Sequence, residues 1–349
     1  MLNDNIIKYC KLNPGLEIQD VFKFLYQSCF GCEHLACDFE YALKRINTEK
    51  VETDMDKLPA VEMLDGDFCR IHLSIFESGL SPHTLCNLFL MSAEPQANGL
   101  SLLEERLQEL TELSDKGLLP FSDAEIKEAI YNWKKDDCPP CHHSESFSNF
   151  YHPAYRVVKK AYAKILPFLI EIDKMFNNSC RIVAIDGRCA SGKTTLASLL
   201  GEMYDCNLFH MDDFFLTPEQ RTRERFAVPG DNVDHERFKR EVLIPLKEGL
   251  PVEYKRFDCC TKAQEAPVII MPKRLNIIEG VYSMHPELIG FYDFKLFMDI
   301  STELQRERIS TRNSPNLAQR FFNEWIPLEE LYFDELSVRR KADLIFGNQ

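Results

Sequence analysis

Long hydrophobic runs are missing from this chain of 349 residues. No stretch reaches the roughly 18 apolar residues that a membrane-spanning helix needs, and the first ten residues lack the apolar core of a signal peptide. Glycine is also scarce, at 14 residues, which excludes collagen-like and low-complexity chains. These absences predict a globular protein of the cytoplasm.

Positive charge is in short supply as well. The 41 Lys and Arg residues are outnumbered by 55 Asp and Glu, and the formal net charge is −14. Because such a chain is repelled by polyanions overall, we expect no nucleic acid and no membrane among its partners. The 13 cysteines are many, but a cytosolic chain with its own core needs no disulfide framework, so we expect most of them to be buried free thiols.

The length of the chain predicts two domains, because a single hydrophobic core stops growing near about 250 to 300 residues. Hydrophobic residues make up 45% of the sequence, which is enough to bury a sizeable core. The pattern of apolar residues changes along the chain. We expect a mostly α-helical domain over residues 1–152, a connecting helix over 153–178 and an α/β domain over 179–349.

Helical spacing dominates the N-terminal part. An amphipathic helix is predicted by apolar residues that recur every three or four positions, namely Ile18, Val21, Phe22, Leu25 and Cys29. Ser122 followed by Glu125, and Ser101 followed by Glu104, have the spacing of helix capping boxes. A short strand is predicted at residues 68–75. The connecting helix is predicted from Tyr155, Val158, Tyr162, Ile165, Leu166 and Leu169, with a kink or break at Pro167.

Short apolar runs bounded by turn residues replace this spacing in the C-terminal part. Five buried strands are predicted, at residues 182–185, 207–211, 275–278, 295–300 and 343–346. Helical stretches lie between them, for example at 196–203 and 303–311. This alternation predicts a five-stranded parallel sheet covered by helices on both faces, which is a three-layer α/β fold.

A glycine-bracketed turn separates the first of these strands from the helix after it. Residues 187–194 match the pattern G-x-x-x-x-G-K-[ST], the Walker A motif or P-loop, with the flanking strand and helix that it requires. Glycines let the backbone curl so that its N–H groups point at phosphate oxygens, while the lysine adds a full positive charge and the Thr194 hydroxyl can bind Mg²⁺. The residues expected to hold ATP are Gly187, Arg188, Cys189, Ala190, Ser191, Gly192, Lys193, Thr194 and Thr195.

Carboxylates follow two other predicted strands. Asp212 and Asp213 come after the second strand and Glu279 ends the third, at the edge where open parallel sheets bind their ligands. One carboxylate of the pair can accept the proton of an incoming hydroxyl, and Glu279 can support Mg²⁺. The N-K-x-D run with which small GTPases read guanine is absent. The pattern therefore favours a kinase, with exposed turn residues as the alternative interpretation.

Two groups of arginines have two interpretations each. Arg306, Arg308 and Arg312 share one predicted helix, where a lid can bring guanidinium groups to a transferring phosphoryl group; the alternative is a solvated basic face. The run at residues 221–225 contains three arginines. It either grips an anionic acceptor or forms a surface helix paired with Glu219 and Glu224.

Residues 179–349 resemble the uridine kinase and phosphoribulokinase-like group of P-loop kinases in the order of their motifs. Residues 212–215 stand where that family has Asp-x-Phe-Tyr, so the resemblance makes Asp212 the general base. Residues 232–235, 278–280 and 341–345 are similar to its Asn-Phe-Asp-His, Glu-Gly and Ala-Asp runs, and Arg308 and Arg312 match its lid arginines. The resemblance implies an ATP- and Mg²⁺-dependent kinase with the P-loop NTPase fold.

The sequence departs from this family at residues 257–264, which read Phe-Asp-Cys-Cys-Thr-Lys-Ala-Gln. Uridine kinases carry a Tyr-Asp-Phe-x-x-His-Ser-Arg type of run there, and this chain lacks the base-reading histidine and the terminal arginine. A pocket without those groups discriminates poorly between nucleobases. The acceptor site that the resemblance implies consists of Asp213, Asp234, His235, Phe257 and Asp258.

Cysteine and histidine cluster twice in the N-terminal part. The clusters comprise Cys29, Cys32, His34 and Cys37, and more than a hundred residues later Cys138, Cys141, His142 and His143. Two C-x-x-C pairs can form a tetrahedral zinc site, although Cys29 also belongs to the apolar face of a helix. Buried thiols and structural histidines are the alternative.

The leading hypothesis is an ATP-dependent kinase that phosphorylates a hydroxyl of a small molecule, most simply a nucleoside or another ribose-like acceptor. In it Lys193, Asp212, Arg308 and Arg312 are catalytic, and Thr194 and Glu279 support the metal. A second hypothesis is a nucleotide-dependent switch whose N-terminal domain binds a macromolecule, and a third is a zinc-stabilised scaffold with a degenerate kinase. The acceptor, homo-oligomer formation and the role of the N-terminal domain stay open.

Overall fold

A computed structural model of the chain describes residues 2–35, 37–52, 60–176, 179–258, 261 and 263–348. The chain divides into two units, Met1–Lys174 and Met175–Gln349. Among the described residues, none of the helices combines the length and the hydropathy that crossing a bilayer requires.

Helices make up most of the first unit. They are α1 Leu2–Leu12, α2 Ile18–Phe30, α3 Phe39–Glu52, α4 Pro82–Met91, α5 Gly99–Asp115, α6 Asp123–Lys135, α7 Glu145–Tyr151 and α8 Lys160–Met175. Three strands, β1 Val61–Met63, β2 Phe68–His72 and β3 Tyr155–Lys159, form an antiparallel sheet in the order β1-β2-β3. The prediction of a mostly helical N-terminal part is confirmed.

Several local predictions can be compared with this unit. Helix α2 buries the apolar face that its spacing predicted, and Ser122 and Glu125 form the expected capping box at the start of α6. The second capping box is wrong, because α5 already begins at Gly99 and Ser101 lies inside it. The short strand predicted at residues 68–75 is β2, which ends at His72.

The connecting helix begins later than its sequence predicted. Tyr155 and Val158 lie on strand β3, where Val158 pairs with Cys69 of β2. Residues three apart share one face of a helix but lie on opposite faces of a strand. Pairing with the buried strand β2 makes this segment a strand despite its helical spacing. Helix α8 continues through Pro167 without a break, and residues up to Lys174 belong to the first unit.

Strands and helices alternate in the second unit. The strands are β4 Arg181–Gly187, β5 Cys206–His210, β6 Val252–Asp258, β7 Ala263–Ile270, β8 Leu275–Glu279, β9 Phe294–Ile300 and β10 Leu344–Asn348. The helices are α9 Lys193–Met203, α10 Arg223–Phe226, α11 His235–Phe238, α12 Ile244–Glu248, α13 Thr302–Arg312, α14 Pro315–Arg320 and α15 Ile326–Glu335. The five predicted strands correspond to β4, β5, β8, β9 and β10.

Five of these strands form one parallel sheet in the order β10-β9-β4-β8-β5. The central strands are buried on both faces, as parallel strands covered by helices must be. The fold is therefore the α/β fold of P-loop NTPases, preceded by a mostly helical unit. Strands β6 and β7 form a separate antiparallel hairpin. That hairpin was not anticipated by the predicted alternation of strands and helices.

The register of the sheet places the carboxyl ends of three strands side by side. Glu279, the last residue of β8, is opposite Ile185 of β4 on one side and His210, the last residue of β5, on the other. Gly187, the last residue of β4, is opposite Met298 of β9. The carboxyl ends of β4, β5 and β8 therefore meet at one edge of the sheet.

Candidate active site

The loop between β4 and α9 depends on glycine at both of its ends. Gly187 has φ +135° and Gly192 has φ +103°, conformations that favour glycine over residues with a side chain. A Cβ atom at Gly187 would lie 2.0 Å from the carbonyl oxygen of Met298. The backbone therefore passes β9 too closely for any side chain at this position.

Lys193 begins helix α9 and points back into the loop. Its Nζ donates hydrogen bonds to the carbonyl oxygens of Gly187 at 2.7 Å and Arg188 at 2.9 Å, and the residue is 7% exposed. The first N–H groups of any helix lack an intrahelical acceptor and carry the positive end of the helix dipole. The loop thus combines backbone donors and a held ammonium group, which is the chemistry that binds phosphate.

Oxygen ligands lie next to this loop. The Thr194 hydroxyl is 3.4 Å from both carboxylate oxygens of Glu279, which is 6% exposed. His210 donates from Nδ1 to Glu279 at 2.5 Å, and this hydrogen bond is the main cause that raises the pKa of His210. A hydroxyl and a carboxylate are ligands that Mg²⁺ prefers, and the predicted pair Thr194 and Glu279 is brought together.

Asp212 lies in a short 3₁₀ turn after β5. It keeps an exposed surface and makes no hydrogen bond within the described part of the chain. Removal of water by the surrounding protein, followed by repulsion from Glu279, raises the pKa of its carboxyl, while Lys193 opposes the rise. The charges of Glu279, the candidate metal ligand, and of Lys193 therefore both act on the Asp212 carboxyl.

The neighbouring Asp213 has different contacts. Its Oδ2 accepts a hydrogen bond from the Tyr254 hydroxyl at 3.0 Å and lies 3.5 Å from Nε of Arg256, both on β6. Its backbone oxygen accepts from Arg237 at 2.9 Å. The two adjacent carboxylates therefore have separate environments, one towards the P-loop and one towards the β6–β7 hairpin.

Asp186, which sequence reasoning did not select, fixes the base of the loop. It is fully buried, and its Oδ1 accepts from the Gly187 N–H at 2.6 Å. Its Oδ2 accepts from the Met284 N–H and from the Tyr332 hydroxyl, both at 2.8 Å. Burial raises the pKa of Asp186 to about 6. An aspartate directly before the first P-loop glycine was the available sequence signal.

Helix α15 supplies two further carboxylates that sequence reasoning missed. Glu329 is 5% exposed and accepts a hydrogen bond from the Cys189 N–H of the loop at 3.0 Å. Glu330 binds the Arg188 guanidinium through two hydrogen bonds of 2.7 and 2.8 Å. Burial raises the pKa of Glu329 to about 7, with Lys193 opposing. No sequence signal links these positions, which are 140 residues apart.

The arginines of helix α13 are placed unequally. Arg308 donates to the carbonyl oxygen of Ala190 in the P-loop at 3.0 Å. Arg312, at the end of the helix, is exposed. The Arg306 guanidinium lies 4.3 Å from the centre of the Phe322 ring, which is a cation–π arrangement. Of the two predicted lid arginines, the structure brings Arg308 to the P-loop.

The predicted acceptor residues Asp234 and His235 lie at the start of helix α11. Asp234 caps this helix by accepting from the Arg237 N–H at 3.0 Å, and Gln220 donates to its other oxygen at 2.7 Å. Its N–H donates to the Phe214 carbonyl oxygen at 2.8 Å, so the segment lies beside the turn that carries Asp212. His235 is buried and stacks on His285 with ring centres 4.0 Å apart.

The remaining predicted acceptor residues end strand β6. Phe257 is buried under the guanidinium of Arg221, at 5.7 Å from ring centre to Cζ. The Asp258 carboxylate accepts from the Thr261 hydroxyl at 2.8 Å. Residues 259, 260 and 262 of the departing run lie outside the described residues.

The basic run at residues 221–225 does not have the pairing expected for a surface helix. Arg225 binds Glu236 at 2.6 Å and also donates to the carbonyl oxygens of Asp231 and Val233. Arg221 donates to the carbonyl oxygen of Leu216. The alternative of a surface helix paired with Glu219 and Glu224 does not describe these two arginines, because Arg225 reaches to α11 and the segment before it, whereas Arg221 turns back to Leu216.

The N-terminal cysteines and histidines, all of them described, do not gather into a metal site. Within the described ranges, the one group of three ligand residues close enough to share an ion is Asp231, His235 and His285 in the second unit. Cys32 is buried and donates to the Phe89 carbonyl oxygen. His143 binds Asp20 at 2.8 Å and the Tyr155 hydroxyl at 2.7 Å, as a structural histidine does.

Comparisons with known proteins find uridine kinases. The chain is 28% identical over 141 residues to the uridine kinase of Proteus mirabilis, a match that covers 36% of this chain and 65% of that enzyme. It is 27% identical over 158 residues to the uridine kinase of Haemophilus ducreyi, covering 40% of this chain and 72% of that enzyme. The chain thus spans about two thirds of the length of these relatives. No family model matches it.

One solved structure is described as a possible uridine kinase from Bacillus stearothermophilus. Its superposition has a TM-score of 0.42 with 24% sequence identity and covers 54% of this chain and 99% of that chain.

Proposed function

We propose that this chain, which contains a P-loop kinase region similar to uridine kinases, is an ATP-dependent kinase for a hydroxyl group of a small molecule. A nucleoside or another ribose-like compound is the proposed acceptor. The proposal retains the cytoplasmic location expected from the sequence. The role of the first unit and the oligomeric state form no part of it.

The observation that carries the proposal is the meeting of three groups at one edge of the sheet. Lys193 and the P-loop amides follow β4, Asp212 follows β5, and Glu279 ends β8. The residues fit a triphosphate, because the first N–H groups of α9 have no intrahelical acceptor and the Lys193 ammonium group lies beside them. Phosphoryl transfer needs mainly positioning and electrostatic stabilisation, and these groups supply both.

The residues also fit Mg²⁺, since the Thr194 hydroxyl and the Glu279 carboxylate offer oxygen ligands within 3.4 Å of each other. When bound, the ion neutralises charge on the phosphates. His210 fixes the orientation of the Glu279 carboxylate through its short hydrogen bond. Thr194 would hold the ion directly, and Glu279 directly or through water.

Asp212 is proposed as the general base. Its carboxylate has no hydrogen-bond partner in the described part of the chain, so both oxygens are available to an acceptor hydroxyl. Its raised pKa brings it closer to neutral pH, which favours proton acceptance by a carboxylate. In this role Asp212 takes the hydroxyl proton while the acceptor oxygen attacks the terminal phosphorus of ATP, and the bond from that phosphorus to the β–γ bridging oxygen breaks so that ADP leaves.

Two arginines are proposed to stabilise the phosphoryl group during transfer, and five residues are proposed to bind the acceptor. Arg308 already contacts the P-loop at Ala190, which supports a role beside the transferred phosphoryl group, and Arg312 is proposed to act with it. The acceptor is proposed to bind between the Asp212 turn and the hairpin. Asp213, Asp234, His235, Phe257 and Asp258 are the proposed contacts.

The test is ADP release by the full-length protein with MgATP and a panel of nucleosides, vitamins and sugar phosphates. The proposal expects ADP release that depends on one class of hydroxyl acceptor and yields its phosphorylated product by mass spectrometry. Hydrolysis of ATP at the same rate without any acceptor would favour a nucleotide-dependent switch instead. Failure to bind ATP at all would remove both.

A further inference from the structure

A second polar cluster lies in the same unit and shares one residue, His235, with the proposed acceptor contacts. Asp231 lies in the loop before α11, His235 is the first residue of α11, and His285 lies between β8 and β9. One ligand atom from each lies within 4.8 Å of the others. The two histidines are each 6% exposed.

The spacing of the three side chains suits a metal ion. Oδ1 of Asp231 lies 3.5 Å from Nε2 of His285 and 3.7 Å from Nδ1 of His235. Ligand atoms that bind one ion tetrahedrally at about 2.0–2.1 Å are about 3.3–3.4 Å apart. The two distances to Asp231 need to contract by only a few tenths of an ångström to reach that geometry, and the two histidine nitrogens lie within 4.8 Å of each other.

His235 supplies an independent observation. Its Nδ1 is buried and has no hydrogen-bond partner within the described residues, since the carboxylate oxygens of Asp231 and Glu236 lie 3.7 and 3.6 Å away. A buried polar nitrogen without a partner costs free energy. An ion between His235 and Asp231 gives this nitrogen a partner.

We propose that Asp231, His235 and His285 form a binding site for a divalent transition-metal ion such as Zn²⁺. Two imidazoles and one carboxylate match the ligands that Zn²⁺ and its neighbours prefer, whereas Mg²⁺ prefers oxygen alone. Three protein ligands leave a further position for water. Binding through Nε2 places the ring proton of His285 on Nδ1, so the metal–Nε2 bond forms at the expense of the 3.3 Å hydrogen bond that Nδ1 accepts from the Glu287 N–H.

The loop that precedes α11 approaches His285 and Tyr332 closely at Gly230. Gly230 has φ +89°, and a Cβ there would lie 2.8 Å from Cδ2 of His285 and 2.9 Å from the Tyr332 ring. The loop before α11 is thereby held against the segment after β8, which also supplies the Met284 N–H to Asp186. The ion would tie the segment of Asp234 to the base of the P-loop, and its role is structural rather than catalytic.

Metal binding by the full-length protein tests this proposal without any activity assay. The protein is freed of metal by chelation under reducing conditions, and Zn²⁺ and Co²⁺ are then titrated against a chromophoric chelator. One ion per chain is expected, and bound Co²⁺ should show visible d–d bands without thiolate charge-transfer absorption. The Co²⁺ spectrum needs no variant, so it decides between this site and the N-terminal cysteines even where a variant fails to fold.

Two variants complete the test. His285→Gln is expected to weaken Zn²⁺ binding by more than the roughly 10- to 100-fold that loss of an outer-shell partner costs. His142→Gln, at an exposed histidine of the N-terminal cluster, is the matched control and should bind as the parent does. The proposal would be overturned if the metal-free protein bound no Zn²⁺ or if bound Co²⁺ showed thiolate absorption. An unchanged Zn²⁺ affinity in His285→Gln would also overturn it. These experiments read metal binding alone, so their failure would leave the proposed kinase function standing. That function is tested separately by ATP binding and ADP release.

Discussion

Gly187 lies directly opposite Met298 in the sheet, so close that a Cβ on the glycine would be 2.0 Å from the methionine carbonyl oxygen. The same carbonyl accepts a hydrogen bond from the Arg188 N–H at 3.2 Å. The first turn of the P-loop is thus fitted to the backbone of β9. Contact with the backbone of β9 therefore helps to fix the conformation of the phosphate-binding loop.

Gly187→Ala should therefore damage both folding and nucleotide binding. An alanine at this position would have a strained φ, and its Cβ would clash with the backbone of Met298. We expect the free energy of unfolding to fall by about 1–3 kcal/mol from the strain alone. Thermal melts and ATP titration measure the two effects. Gly290→Ala is the control, because a Cβ there meets nothing within 4 Å. Equal behaviour of the two variants would show that the close approach is unimportant.

Asp212→Asn should lose phosphoryl transfer and keep ATP affinity. Removal of a general base costs typically about 10²- to 10⁴-fold in rate, and the amide is nearly the same size as the carboxyl. Steady-state kinetics and calorimetry measure the two properties. Asp213→Asn is the paired variant and should change the acceptor KM more than kcat, since its contacts lead to Tyr254 and Arg256. Full turnover by Asp212→Asn would withdraw its assignment as base.

Arg308→Ala should slow transfer more strongly than Arg306→Ala. Arg308 reaches the P-loop at Ala190, whereas Arg306 packs on Phe322. An arginine that stabilises the transferred phosphoryl group is worth about 10³- to 10⁵-fold in kcat. The ratio of the two kcat values at saturating ATP is the measurement. A ratio near one would mean that Arg308 serves only the packing of α13.

Glu329 should make the protein less stable as pH rises from about 4.5 to about 7. Its carboxyl stays protonated up to about pH 7 in the folded chain, against an ordinary value of 4.5. The folded state therefore holds one more proton than the unfolded state in that window, and stability falls as the proton is removed.

Glu329→Gln should remove this part of the pH dependence. The variant is expected to be more stable than the parent above pH 7 by on the order of 1–3 kcal/mol, because the amide can still accept from the Cys189 N–H without a buried charge. Urea unfolding from pH 4 to pH 8 measures the difference. Glu335→Gln, at an exposed position of the same helix, controls for the change in net charge. A constant difference between parent and Glu329→Gln at every pH would contradict the account.

The central strands β4 and β8 were predictable because they are buried on both faces. Residues 275–278 are apolar except for Asn276, and the observed strand Leu275–Glu279 is one residue longer than the predicted one. The P-loop was equally predictable, since its glycines and Lys193 carry their geometry in the local sequence. Tyr155 and Val158 were misassigned because their helical spacing is overridden by pairing of β3 with β2, which lies more than 80 residues away in sequence.

Contacts between distant segments account for the rest. Glu329 reaches Cys189 across 140 residues, and His285 meets His235 across 50. Neither pair has a local signature, because each depends on which loops the sheet order brings together. The β6–β7 hairpin was missed although β7 ends in the apolar run Val268-Ile269-Ile270, because β7 is largely exposed and pairs with β6 outside the parallel sheet.

Isothermal titration calorimetry of the full-length protein with ATP and MgCl₂ tests the central claim most directly. The account predicts one ATP site per chain in the parent and a severe loss of affinity in Lys193→Ala, because that ammonium group is the held cation of the loop. Lys127→Ala, at an exposed lysine of the first unit, should bind as the parent does. Binding of no purine triphosphate by the parent, or equal binding by the parent and Lys193→Ala, would contradict it.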